Sequence, residues 1–159
     1  MLSCPLVLYE KYISNLTHNR MQTITTFIKG YYPLCKRESF PECSGIYFVY
    51  TGYYSPLKNK LTLYKLIYIG ESENIRERIC NHEKLNEWKS HLENSYSTLW
   101  FAFCKLDKDT RVIAEAAYIN HHKPVVNVEY KNSFPYDRTR IISNGDTCFL
   151  DTNFLVGIL

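Results

Sequence analysis

Two short apolar runs, 45-GIYFVYTG-52 and 61-LTLYKLIYIG-70, are rich in β-branched and aromatic residues, and the polar stretch YYSPLKNK with Pro56 and Asn59 lies between them. That composition predicts two strands, and two strands joined by a polar turn most simply form an antiparallel hairpin. A third run, 98-TLWFAFCKL-106, is apolar enough to lie in mid-sheet. Between the second and third runs the pattern changes: Asn74 opens N-I-R-E, an Asx cap with Glu77 three residues on, predicting a helix to about Trp88. After the third run, Asp109 or Thr110 is expected to cap a second helix, RVIAEAAYINHH, which Pro124 ends. Upstream, Leu6, Leu8, Tyr12, Ile13, Leu16, Met21, Ile24 and Phe27 recur at mixed helical spacing before Gly30, which predicts one or two helices within residues 5–29. Residues 31–44 read as a connector. PVVNVEY after the second helix reads as extended, and Asn144-Gly145 in IISNGDTCFL as a hairpin turn.

The order β-β-α-β-α points to a small α/β sandwich. A length of 159 residues fits one domain with a core of its own, and 45% hydrophobic with 22% charged residues excludes disordered and fibrous classes. A net charge of +3 is too mild to diagnose a nucleic-acid partner, so any such partner needs a local basic surface. There is no run long enough for a membrane span and no basic start to a signal segment. Six cysteines without C-x-x-C or zinc-finger spacing suggest thiols used as small apolar residues in a reduced, cytoplasmic, intracellular setting, with no membrane partner. Fourteen Tyr and eight Phe are many for the length; most are expected in the core.

Arg78 and His82 are one helical turn apart and share a face, with Ile75 and Ile79 placed to seat it on the sheet. Such a pair at the rim of an apolar face suits an anion such as phosphate, although a surface Arg beside a solvated His is the simpler alternative. Glu115 sits in the apolar stripe of the second helix between Val112 and Ile119. A carboxylate there needs a partner, either an Arg across the sheet or a divalent cation. Tyr47 and Tyr68 occupy matching places in adjacent strands, which is ordinary packing unless a nearby cation draws a phenol toward proton transfer.

Gly45-Ile46-Tyr47, Tyr68-Ile69-Gly70, Arg78, His82, Glu115 and Asn127 together, over roughly residues 44–128, resemble the GIY-YIG nuclease family. The resemblance implies an α+β fold with a small three-stranded antiparallel sheet flanked by helices, and cleavage of DNA phosphodiesters with Mg2+ or Mn2+, one ion per active site. It further implies that Glu115 is the metal ligand and that Arg78 binds the scissile phosphate. One motif tyrosine, Tyr47 by preference, activates water, with His82 as its helper or relay and Tyr68 orienting phosphate or water. Asn127 buttresses the site. The His at this position resembles the homing-nuclease and restriction-enzyme branches. Glu71 departs from the family pattern by placing an acid directly after the second glycine.

The expected organisation is an N-terminal helical extension and connector over 1–43, a nuclease core over 44–130, and a C-terminal extension with a hairpin over 131–159. The expected function is a restriction-type endonuclease on duplex DNA, acting as a homodimer or by sequential nicks. The alternatives are a nicking nuclease of a mobile element or repair system with a separate targeting partner, and a non-catalytic nucleic-acid-binding relic. Lys58, Lys60 and Lys65 near the hairpin turn, with Lys36, Arg37, Arg138 and Arg140 in the extensions, are candidate DNA-backbone contacts.

Overall fold

The structure, a computed structural model, describes residues 21–157. In chain order these form β1 (Gln22–Pro33), a 3-10 helix (Leu34–Ser39), β2 (Gly45–Ser55), β3 (Lys60–Ser72), α1 (Ile75–Cys80), α2 (Leu85–Lys89), β4 (Thr98–Lys105), α3 (Lys108–His122), β5 (Thr139–Gly145) and β6 (Asn153–Val156). The strands make one six-stranded sheet in the order β3-β2-β4-β1-β5-β6. All neighbours are antiparallel except β1 and β5, which run parallel from Gln22↔Thr139 to Ile28↔Gly145.

The β2-β3 hairpin and the central β4 form where the apolar runs place them, and together they are the expected three-stranded antiparallel sheet. The whole sheet is twice that width, because the residues expected to end an N-terminal helix form β1 beside β4 instead, and β5 and β6 extend the sheet beyond it. From Gln22 to Lys29 every second side chain is buried, at Ile24, Thr26 and Ile28. The run TITTFI is rich in β-branched residues and alternates with period two; β5 pairs with it along its length and β4 pairs with the end of β1 from Lys29 to Pro33, which outweighs the looser helical spacing upstream. The part of the expected helical extension within residues 5–20 lies outside the described residues.

Three further expectations are corrected. The helix expected from Asn74 to Trp88 is broken: α1 ends at Cys80, Asn81 leaves helical geometry, and its side chain bonds back to the Glu77 carbonyl at 3.2 Å. The cap of α3 is Asp107, not Asp109 or Thr110; its carboxylate accepts the Thr110 amide at 2.9 Å. β5 and β6 do pair as a hairpin, but Asn144 and Gly145 are ladder residues opposite Phe27 and Ile28, and the chain reverses over 146–152. PVVNVEY forms no ladder strand of its own, although the Val126 amide donates to the Ile67 carbonyl at 3.0 Å on the outer edge of β3.

Each face of the sheet carries its own core. α3 packs Ala114, Ala117 and Tyr118 on Ile46, Phe48, Ala102 and Ile141; α1 and α2 pack Ile75, Ile79 and Trp88 with Phe40 on Tyr47, Val49, Phe101 and Phe103. At about 25 cal/mol per Å² of apolar area, each large side chain so enclosed contributes roughly 1.5–3 kcal/mol. Among the described residues most of the Phe side chains are core, as expected, but of the tyrosines only Tyr47, Tyr50 and Tyr118 are buried and the others keep exposed area, against the expectation. The β3 edge is where elements from both faces meet, and the motif residues gather there.

Candidate active site

Tyr47 near the start of β2 and Tyr68 near the end of β3 project to the same face, with ring centroids 6.2 Å apart. They are not directly opposed: Tyr47 pairs with Gly70, and Tyr68 with Val49. The glycine makes this possible, because a Cβ at Gly70 would overlap the Tyr47 phenol and crowd the Tyr68 ring. Gly45 has an equivalent constraint, since a Cβ there would strike the Cys104 carbonyl of β4. The two motif glycines thus let β2 approach β4 closely and let a phenol lie across β3. Tyr47 is fully enclosed, whereas Tyr68 keeps an exposed edge. Burial and then the Tyr68 phenol lift Tyr47 well above its usual value; burial and the Glu115 carboxylate push Tyr68 up to about 12, while Arg78 pulls both down.

α1 brings Arg78 and His82 to these phenols. The Asn74 side chain caps the helix by accepting the Glu77 amide at 3.2 Å, and Ile75 and Ile79 lock it to the sheet as the spacing requires. The break after Cys80 matters chemically. His82 lies beyond the helix end and turns inward, so its ring is buried and its Nε2 lies 2.9 Å from the Tyr47 phenol oxygen. Arg78 stays at the surface, where both its terminal nitrogens donate to the Glu83 carboxylate at 2.8 and 2.9 Å. The guanidinium also approaches the Tyr47 phenol closely enough to favour its ionised form. The simpler alternative therefore fails for His82, which is buried, while Arg78 is a partly exposed side chain held beside the phenols.

Glu115 approaches from α3 on the opposite face. Its carboxyl is pushed up to about 7, chiefly by burial and then by the neighbouring Glu71 carboxylate. No Lys, Arg or His among the described residues lies within ion-pair distance of it. The arginine on the same helix is engaged elsewhere: Arg111 pairs with Glu71 through Nε, donates to Ser44 Oγ at 2.8 Å and reaches Glu73 at 3.5 Å. Glu71, the departure from the family pattern, thus balances a buried arginine that ties the start of β2 to the end of β3. Glu115 is left as an oxygen donor with raised proton affinity and no cationic partner, a fit for a divalent cation.

Asn127 is buried, and its two amide atoms grip one residue of β3, accepting the Ile69 N–H at 2.9 Å and donating to the Ile69 carbonyl at 2.8 Å. β3 is an edge strand, so this side chain completes a ladder that has no further strand beside it. Ile69 lies between Tyr68 and Gly70, and Asn127 therefore fixes the backbone that carries both.

The structure brings Tyr47, Tyr68, Arg78, His82, Glu115 and Asn127 to one edge of the sheet. It does not bring the candidate DNA contacts there. Lys58 and Lys60 sit at the distal turn of the hairpin, about 25 Å along the strands from Tyr47. Lys65 is paired with Glu93 at 3.3 Å, and Lys36 and Arg37 lie in the 3-10 helix. Arg138 is partly buried, with Nε enclosed and unpartnered, just before β5, while Arg140 in β5 donates to Asn153 at 2.9 Å. Sequence reasoning missed Glu83, Trp88 and Arg111. Arg111 had a signal, since it precedes Glu115 by one helical turn, but the position of Glu83 depends on the break in the helix.

The five described cysteines, at 35, 43, 80, 104 and 148, are free, and no described helix is long and apolar enough to cross a membrane. The chain matches no curated protein and no solved structure. The family model of the GIY-YIG catalytic domain matches residues 43–131, more than half of the chain and a stretch that holds all six converging residues. The chain therefore belongs to the GIY-YIG family, and residues 43–131 are its catalytic domain, a nuclease domain that hydrolyses phosphodiester bonds in nucleic acid.

Proposed function

We propose that the protein is a DNA endonuclease that uses one Mg2+ or Mn2+ ion per active site, held by Glu115. One observation carries this reading: Glu115 is an acid of raised proton affinity without an ion pair, placed where Arg78 and both phenols feel its charge. GIY-YIG nucleases generally use a divalent metal. When bound, the ion supplies positive charge at the scissile phosphate and its leaving oxygen. Arg78 binds the phosphate and stabilises charge in the transition state, exchanging part of its hold on the exposed Glu83 for the ligand. Tyr47, acting in the ionised form that Arg78 favours, takes the proton of the attacking water and becomes the neutral phenol, and Tyr68, the phenol with an exposed edge, orients water or phosphate at the mouth of the site. Asn127 holds the strand on which Tyr68 stands.

Duplex DNA is the proposed substrate, in a restriction-type reaction. One site per chain cuts one strand, so a double-strand break needs two protomers or two successive nicks. The second reading, a nicking nuclease with a separate targeting partner, is favoured by one observation: Lys58, Lys60, Arg138 and Arg140 do not converge on the site. Supercoiled plasmid incubated with Mg2+ distinguishes these outcomes. A ladder of discrete fragments supports restriction, random nicking supports the targeted nickase, and DNA binding without cleavage in either Mg2+ or Mn2+ overturns the enzymatic proposal.

A further inference from the structure

His82 has two ring nitrogens, and the fold specifies the partner of each. The Lys84 main-chain N–H lies 3.0 Å from Nδ1. A backbone amide can only donate, so Nδ1 must be the unprotonated nitrogen, and a neutral ring then carries its proton on Nε2. Nε2 is the atom 2.9 Å from the Tyr47 oxygen. The direction of that bond follows: the imidazole donates and the phenol accepts.

The surroundings hold the ring in this state. Three aromatic rings enclose it, Trp88 at 4.2 Å between centroids, Tyr68 at 5.6 Å and Tyr47 at 6.1 Å. Trp88 is fully buried with its Nε1 unpartnered, so its place against His82 rests on packing alone. The charged groups facing the ring are Arg78 and Lys84, which oppose protonation, and Glu83, which favours it. Glu83 lies 3.7 Å from Nδ1, beyond hydrogen-bond reach, and its carboxylate is already engaged by Arg78. Burial and Arg78 together take His82 down to about 4.

Resting on the nuclease reading above, we propose that His82 is a fixed hydrogen-bond donor to Tyr47 and not the acceptor of its proton, with the Lys84 amide setting the tautomer and Trp88 positioning the ring. Negative charge on the Tyr47 oxygen is then met by an N–H from His82 on one side and by Arg78 on the other. The Lys84 amide and Trp88 act through His82 and are positioning elements.

The test is the long-range nitrogen–proton NMR pattern of His82 in the full chain labelled with 15N-histidine, assigned by loss of its signals in His82→Gln. The expected pattern is the Nε2–H tautomer throughout pH 5.5 to 8 (about that range, well above the depressed value); an Nδ1–H tautomer, or titration near the ordinary histidine value, overturns the proposal. Cleavage by two variants reads the same direction. His82→Gln can donate from its amide and is expected to cleave at least about tenfold faster than His82→Glu, whose carboxylate only accepts; the reverse order overturns it. Trp88→Leu is expected to lower kcat about tenfold at unchanged KM and to let His82 titrate; unchanged kcat removes Trp88 from the arrangement. If the wild type cleaves nothing with either metal, the nuclease reading fails, while the tautomer is still read from the spectrum.

Discussion

Two buried tyrosines with histidines beside them pack on opposite faces of the sheet, and only one pair belongs to the candidate site. On the α3 face, Tyr118 is fully enclosed, its hydroxyl shares hydrogen bonds with Thr26 at 2.7 Å and Ser143 at 2.6 Å, and its ring stacks on His122 at 5.8 Å. Both nitrogens of His122 are occupied, one by the Tyr118 carbonyl and one by the Asp151 amide. His121, His122 and Asp151 do gather their donor atoms within 4.8 Å, but this satisfaction of His122 leaves no free set for a cation. On the opposite face Tyr47 has the same burial and a histidine of its own, yet it stands beside a guanidinium, a half-open phenol and, at the sheet edge, an acid without a cationic partner. Burial of a polar group is common to both regions. Incomplete neutralisation is found in one, and that is what separates a site from a strut.

Changes at Glu115 test this difference most severely. Glu115→Gln is expected to lower cleavage by about a thousandfold or more, since it removes the proposed metal ligand. The same change should stabilise the protein at alkaline pH. Glu115 lies at about 7 in the folded chain against a reference of 4.5, so the wild type holds this contribution fully below about 4.5 and loses it as pH rises through about 7. Thermal unfolding of wild type and variant should therefore diverge across that window, the variant ahead by about 1–3 kcal/mol at pH near 8. Added Mg2+ should raise the unfolding midpoint of the wild type alone. A variant less stable than wild type at alkaline pH would mean that the acid is satisfied after all.

Tyr47→Phe comes next, with an expected loss of about a hundred- to thousandfold in kcat and little change in KM, measured under single turnover. A variant that keeps wild-type rate would transfer the proton-accepting role to Tyr68. Asn127→Ala is expected to cost about 2–4 kcal/mol, because the Ile69 amide and carbonyl lose their partners together. Its cleavage should fall by about tenfold through the displaced Tyr68. An unchanged unfolding midpoint would show that water replaces the side chain without cost.

The contrast between the two regions also explains what could be read from the chain. Much of the candidate site was legible because its residues are local to two strands and two helices: the hairpin fixes Tyr47 and Tyr68, the Asn74 cap fixes the phase of Arg78, and the stripe of α3 fixes Glu115. The wider sheet was not legible. β1 needs β4 on one side and β5, more than a hundred residues later, on the other, so its local pattern competes with a helical one until those partners exist. His82 failed in a different way. Its spacing from Arg78 is helical, but it lies past the end of α1, and its contact with Tyr47 follows from the break.

The smallest expected effect is at Tyr118, and it bears on whether the two regions are independent. Tyr118→Phe keeps the ring, its edge contacts with Phe48 at 5.1 Å and Phe154 at 5.4 Å, and the volume of the core. What it removes is one hydroxyl that links Thr26 of β1 to Ser143 of β5, two strands already joined by their own backbone ladder. The loss should be about 1 kcal/mol in unfolding free energy. Cleavage should stay within about twofold of wild type, because the lost hydroxyl bonds only Thr26 and Ser143, and β4 stands between their strands and β2 and β3, which carry the phenols. If cleavage fell with stability, the outer strands would be holding the geometry of the site. The sheet would then be one mechanical unit, not a three-stranded catalytic core with a structural flank.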